Sequence, residues 1–151
     1  MECRMARSIS LLRSLVLVAL SAAVPACGYD DMSGDYEGAL DCGDAGSLGM
    51  SLSIGGDKGA GIYPVDGEVR DLTLDGLASS VEMTGEVAQM AEAGPQVVEV
   101  GVECSLIQEG EASALDCAAF NQLAWDGADT LSADVTNFLG AELNCAISLT
   151  R

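Results

Sequence analysis

Four stretches of the chain alternate apolar residues with polar or small ones at a period of two. That spacing turns one face of a strand inward and the other into water. Leu48, Met50, Leu52 and Ile54 interleave with Ser47, Gly49, Ser51 and Ser53; Val98, Val100, Val102, Cys104 and Leu106 interleave with Glu99, Gly101, Glu103 and Ser105. Leu131, Ala133 and Val135 form a third set, and Leu143, Cys145, Ile147 and Leu149 a fourth. Fainter versions run from Tyr36 to Cys42, Arg70 to Leu74, Val81 to Val87 and Leu115 to Leu123. Glycine and aspartate clusters separate them: Gly43-Asp44-Ala45-Gly46, Gly55 to Gly59, Asp66-Gly67, Asp75-Gly76, Gly94-Pro95, Gln108 to Glu111 and Asp126-Gly127. Glycine reaches positive φ and Asp bonds the neighbouring backbone, so such clusters end strands. The pattern predicts an all-β chain, an antiparallel meander forming a small barrel or a two-sheet sandwich. Glu86 to Ala93 and Ala114 to Ala124 fit helical spacing as well as strand spacing.

Cys42, Cys104, Cys117 and Cys145 each fall in phase with the apolar residues of their own segments, so all four are expected to point inward. A hairpin turning at Gly110-Glu111 sets Cys104 opposite Cys117 and Leu106 opposite Leu115. Among the three pairings four cysteines permit, this predicts disulfides Cys104–Cys117 and, by remainder, Cys42–Cys145. Zinc is disfavoured, because the chain has no histidine and these cysteines form no Cys-x-x-Cys pair.

The first residues follow a different rule. Arg4, Arg7 and Arg13 precede the apolar run Leu15 to Val24, with Glu2 the only acid before it. A basic head and an apolar stretch read as a secretory signal, and the uncharged run from Ser14 to Ala26 is well short of the ~20 residues a membrane-spanning helix needs. Val24-Pro25-Ala26-Cys27 resembles the lipobox of bacterial lipoproteins, in which the Cys is lipidated and becomes the first residue after cleavage. Pro25 and Val24 depart from the commonest residues at their places. The resemblance covers only this end of the chain. It implies that Cys27 carries a lipid, that the membrane is a partner through it, and that an exported envelope protein results. Gly28 makes the outer membrane of a two-membrane cell the default destination. Ordinary cleavage after Ala26 is the competing reading; it gives a soluble periplasmic or secreted protein and leaves Cys27 an odd thiol. The expected organisation is a signal over 1–26, a short polar lipid-anchored tether over 27–34 and a single β domain with two disulfides over 35–151.

Charge narrows the partners. Of 24 acidic residues only Glu2 precedes the junction, and of six basic residues only Lys58, Arg70 and Arg151 follow it. So acidic a domain repels phosphate backbones and anionic lipid, which argues against nucleic acid. The acids are dispersed, as in Asp71, Asp75, Glu82, Glu86, Glu99 and Glu103, and read first as a solvated surface.

Catalytic signatures are missing. Without histidine there is no Ser-His-Asp or Cys-His nucleophile, and no nucleophile elbow, phosphate loop or dinucleotide fingerprint occurs. Lys58, in a glycine-rich turn, reads as an exposed hairpin tip. A carboxylate-based hydrolase is the residual enzymatic reading, but a chance pair among so many acids carries little weight, and aromatic rings to line a sugar cleft are few. No catalytic residue and no cofactor is expected. Calcium suits carboxylates better: Asp126 and Asp129 are the weak metal candidates and Asp41-Cys42-Gly43-Asp44 a second loop, each set against the plainer reading of an Asp-Gly turn. Trp125 reads as a core or rim aromatic. The function expected is a non-catalytic interaction or structural module of the envelope. The alternatives are a lipocalin-like carrier, which would need an interior cavity for a small apolar ligand, and a calcium-binding surface domain.

Overall fold

The computed structural model describes residues 29–90, 94–140 and 143–151. The signal, its junction and Cys27 lie outside the described residues. Nine strands run in chain order: β1 (Gly34–Asp41), β2 (Ser47–Ile54), β3 (Ile62–Leu74), β4 (Leu77–Ala88), β5 (Gln96–Gln108), β6 (Glu111–Leu115), β7 (Gln122–Trp125), β8 (Thr130–Thr136) and β9 (Asn144–Thr150). The sheet order β4-β3-β2-β1-β9-β8-β7-β5 is closed by pairing of β4 with β5, and every pairing is antiparallel. The fold is therefore a barrel. Closure leaves the sheet with almost no unpaired edge.

The inward face follows the period of two. Met50, Leu52 and Ile54 of β2, Val98 and Cys104 of β5, Leu131 and Val135 of β8, and Cys145, Ile147 and Leu149 of β9 are all buried. The short strand β6 pairs with the last part of β5, and β7 pairs with its first part. Between them a single 3-10 turn, Ala118–Phe120, inserts buried Phe120 edge-on against Phe138, with ring centroids 5.8 Å apart.

Three details differ from the sequence expectation. Asp66-Gly67 is not a turn but lies inside β3, a strand of 13 residues. Gly67 takes an inward position there because Leu52 and Met83 occupy the space its side chain would need. The true break in β3 is a bulge between Val69 and Leu72, where Asp71 adopts φ 64. Among the described residues neither ambiguous stretch forms an α-helix: β4 runs on to Ala88, and Ala114 to Ala124 is divided among β6, the 3-10 turn and β7. Finally, the β5–β6 hairpin turns on Glu109-Gly110, with φ 53 and 83, so Cys104 faces Leu115 rather than Cys117. The disulfides nonetheless join Cys104 to Cys117, diagonally across the strand end, and Cys42 to Cys145. Disulfides belong to chains that fold in oxidising compartments.

Candidate functional site

The barrel has two ends. Cys42–Cys145 and the tight turns Asp75-Gly76 and Glu109-Gly110 mark the far end. The other end is formed by the 55–61 and 126–129 connections and by residues 89–90 and 94–95, together with both ends of the described chain. It is sealed by Tyr29–Ser33. Met32 is wholly buried, and Tyr36 donates its hydroxyl to the Met32 carbonyl at 2.9 Å. Tyr63 Oη lies 3.0 Å from the Asp30 carbonyl and 3.1 Å from Gln89 Oε1. The Asp30 carboxylate accepts from the Gly94 amide at 2.9 Å. The described part of the expected tether, Tyr29 to Ser33, is thus packed into the domain and not free chain.

Arg151 completes the seal. Its guanidinium donates to the Ser33 carbonyl at 2.7 Å, to the Ala128 carbonyl at 3.1 Å and to Asp129 Oδ1 at 2.9 Å, and it lies 5.8 Å from the centre of the Tyr36 ring. The bond to Asp129 raises the Arg151 pKa. Burial pushes the Tyr36 and Tyr63 hydroxyls above the ordinary tyrosine value. Trp125, 2 % exposed, donates its indole N–H to the Ala128 carbonyl, so it belongs to this end of the core.

The weak metal candidates are occupied with structural work. Asp126 Oδ1 accepts from the Thr130 and Ala128 amides, and these bonds lower its pKa. Asp129 is committed to Arg151, and Asp41 caps the amide of Gly43. Among the described residues no group of three or more acidic or cysteine side chains is arranged to hold a metal ion. Lys58 sits exposed at its turn, paired with Glu86 at 2.9 Å.

Among the described residues the interior is filled by side chains: the void between Met50, Leu52, Met83, Val87, Phe120 and Leu123 among others is about 10 Å³. Ligand pockets for small molecules run to roughly 300 Å³ and more. The large depression is outside, a trough of about 670 Å³ across β1 to β5. Sequence reading missed it, because it arises from register and not from any one segment. Cross-strand pairing lays down a row Asp35, Ser53, Asp66, Thr84, Glu103 and beside it a row Glu37, Ser51, Glu68, Glu82, Ser105. Acids largely alternate with hydroxyls, and in the first row these bond from strand to strand: Ser53 to Asp35 at 2.7 Å and Thr84 to Asp66 at 2.9 Å. Only Glu68 and Glu82 set like charges opposite each other, an arrangement that costs stability.

No protein-family model, curated protein or solved structure matches the chain. Among the described residues no helix is long and apolar enough to cross a membrane. Among the described residues the Asp31 and Asp126 carboxyls are held below the ordinary carboxylate value by bonds from neighbouring residues.

Proposed function

We propose that this chain is an exported envelope lipoprotein, anchored through Cys27, whose barrel serves as a non-catalytic interaction or structural module acting through its outer surface. The observation that carries the reading is the filled interior. A void of about 10 Å³ has room for neither an apolar cargo nor a substrate, which favours the module over the lipocalin-like carrier. The disulfides support export, the basic head and apolar run support a cleaved signal, and Val24-Pro25-Ala26-Cys27 supports lipidation. The acidic outer wall disfavours nucleic acid as a partner.

Two measurements test this. Intact mass of the protein purified from its own envelope is expected to show a chain beginning at Cys27 with acyl groups, and Cys27→Ser is expected to release it to the soluble fraction. Organic extraction of the same sample, followed by mass spectrometry, is expected to yield no stoichiometric small apolar molecule beyond the anchor. A molecule recovered one-to-one with the protein would replace the module reading with a carrier.

A further inference from the structure

The geometry points to a lipid surface as the partner of the sealed end: the barrel sits on the membrane with this end down, its rim residues Ile62, Met90 and Val97 in the interface. The inference rests on the lipidation of Cys27 proposed above and goes beyond it. A lipid anchor alone leaves a domain free to swing.

Two independent observations carry it. The first is the length of chain between the lipid and the barrel. Tyr29 to Ser33 are pinned to the barrel end through buried Met32, the Asp30 and Ser33 carbonyls, and the ring of Tyr29 over Gly61. Only Gly28 separates Tyr29 from Cys27. Two steps of the chain reach at most about 7 Å, whatever shape they take. This is no more than the thickness of one headgroup layer, roughly 5–7 Å. The sealed end therefore cannot leave the surface that holds the lipid.

The second is where exposed apolar side chains lie. Ile62, Met90 and Val97 are 36 %, 56 % and 48 % exposed. Ile62 opens β3, Met90 follows β4 and Val97 stands at the start of β5, so all three lie at the sealed end on neighbouring strands. The far end has a single counterpart, Leu77, among the described residues. Large exposed apolar side chains gathered at one rim mark a contact surface, and an interface of headgroups and acyl chains suits them.

The acids at this end do not oppose the contact as bare charges would. Asp30, Asp57 and Asp126 are turned onto backbone amides, and Asp129 onto Arg151. Their summed charge remains negative, so zwitterionic lipid is the favoured surface and anionic lipid the disfavoured one. Seated this way, the acidic trough faces sideways along the membrane and the Cys42–Cys145 end points away from it.

Trp125 is the only tryptophan of the chain and lies at the sealed end, so it reports the orientation directly. The lipidated full-length product is reconstituted into vesicles of dibrominated phosphatidylcholine, whose bromines quench indole at short range. The reference is a lipidated variant carrying Trp125→Phe and Leu77→Trp, which moves the probe to the far end. The expected result is quenching several-fold stronger for Trp125 than for the reference. Ile62→Ser with Met90→Ser and Val97→Ser is expected to weaken the Trp125 signal while vesicle binding persists. Equal quenching of the two probes in protein that floats with the vesicles would overturn the orientation and leave the anchor standing. A product without acyl mass that fails to float would overturn the anchor itself, and the orientation with it.

Discussion

The two ends of the barrel are held by different means. At the far end the main constraints are covalent or tight turns: Cys42–Cys145 staples the residue just after β1 to β9, and the two-residue turns at Asp75-Gly76 and Glu109-Gly110 close their hairpins, with Gln108 donating to the Leu74 carbonyl between them. At the sealed end the constraint is a set of weak bonds among residues far apart in sequence, with Tyr29 to Ser33, Tyr63, Gln89, Asp129 and Arg151 meeting in one place. A covalent staple acts chiefly on the unfolded chain, whereas a polar seal works only once the barrel exists. The far end is therefore built to make folding favourable, and the sealed end to define what the folded barrel presents to its surroundings.

The largest expected effect comes from removing the staple. Cys42→Ala with Cys145→Ala opens a separation of 103 residues and is expected to cost about 4 to 5 kcal/mol, against about 3 kcal/mol for Cys104→Ala with Cys117→Ala, whose separation is 13. Urea denaturation of the two variants measures the difference, and equal losses would mean that loop length does not govern it. Next comes the seal. Met32→Ala removes a wholly buried side chain and is expected to cost about 2 to 5 kcal/mol. A loss under ~0.5 kcal/mol, the level of an ordinary surface change, would show that Tyr29 to Ser33 is not part of the core.

Alkaline pH loosens the same end. The folded-state pKa values of Tyr36 and Tyr63 are raised above 10.0 by burial. Below that value both folded and unfolded chains keep these hydroxyls neutral, and the contribution to stability is fully present. Above it the unfolded chain loses its protons first, so stability falls as pH rises through the folded-state values. Melting temperature is expected to drop as pH rises above about 10, the ordinary tyrosine value. The drop should be smaller in Tyr36→Phe with Tyr63→Phe, which itself costs about 1 kcal/mol per lost hydrogen bond at neutral pH.

The smallest effects separate two ion pairs at the same end. Arg151→Ala removes bonds to backbone carbonyls as well as to Asp129 and is expected to cost about 1 kcal/mol. Lys58→Ala breaks only an exposed pair with Glu86 and is expected to cost under ~0.5 kcal/mol. If Lys58 mattered as much as Arg151, charge pairing and not carbonyl capture would hold the seal.

Much of the barrel was legible because its strands bury one face, and a period of two then survives in the sequence. Leu48 to Ile54 and Leu143 to Leu149 show this most plainly. The inward placement of the cysteines was legible for the same reason, whereas their pairing followed from the hairpin that brings Cys104 near Cys117, though not directly opposite it. The front half of β3 was not. Pro64 and Asp66-Gly67 imitate turn chemistry, and the strand is recognisable only once Leu52 and Met83 are seen filling the space beside Gly67. The β5–β6 register was misread by two residues because Gly110 serves as the second residue of its turn and not the first. The trough and the seal leave no local signal. Both depend on which strands become neighbours, as when Asp35, Asp66 and Glu103 come into one row, or when Arg151 meets Ser33.

The seal is the feature on which the reading of this molecule turns, and its methionines provide the test. Met32 is wholly buried while Met90 is 56 % exposed, and both lie at the sealed end. Oxidation by dilute peroxide, followed by peptide mass spectrometry, compares them within one sample. Met90 is expected to convert to the sulfoxide first, with Met32 lagging alongside the core residues Met50 and Met83. Oxidation of Met32 at the rate of Met90 would show the first described residues to be free chain and would contradict the account.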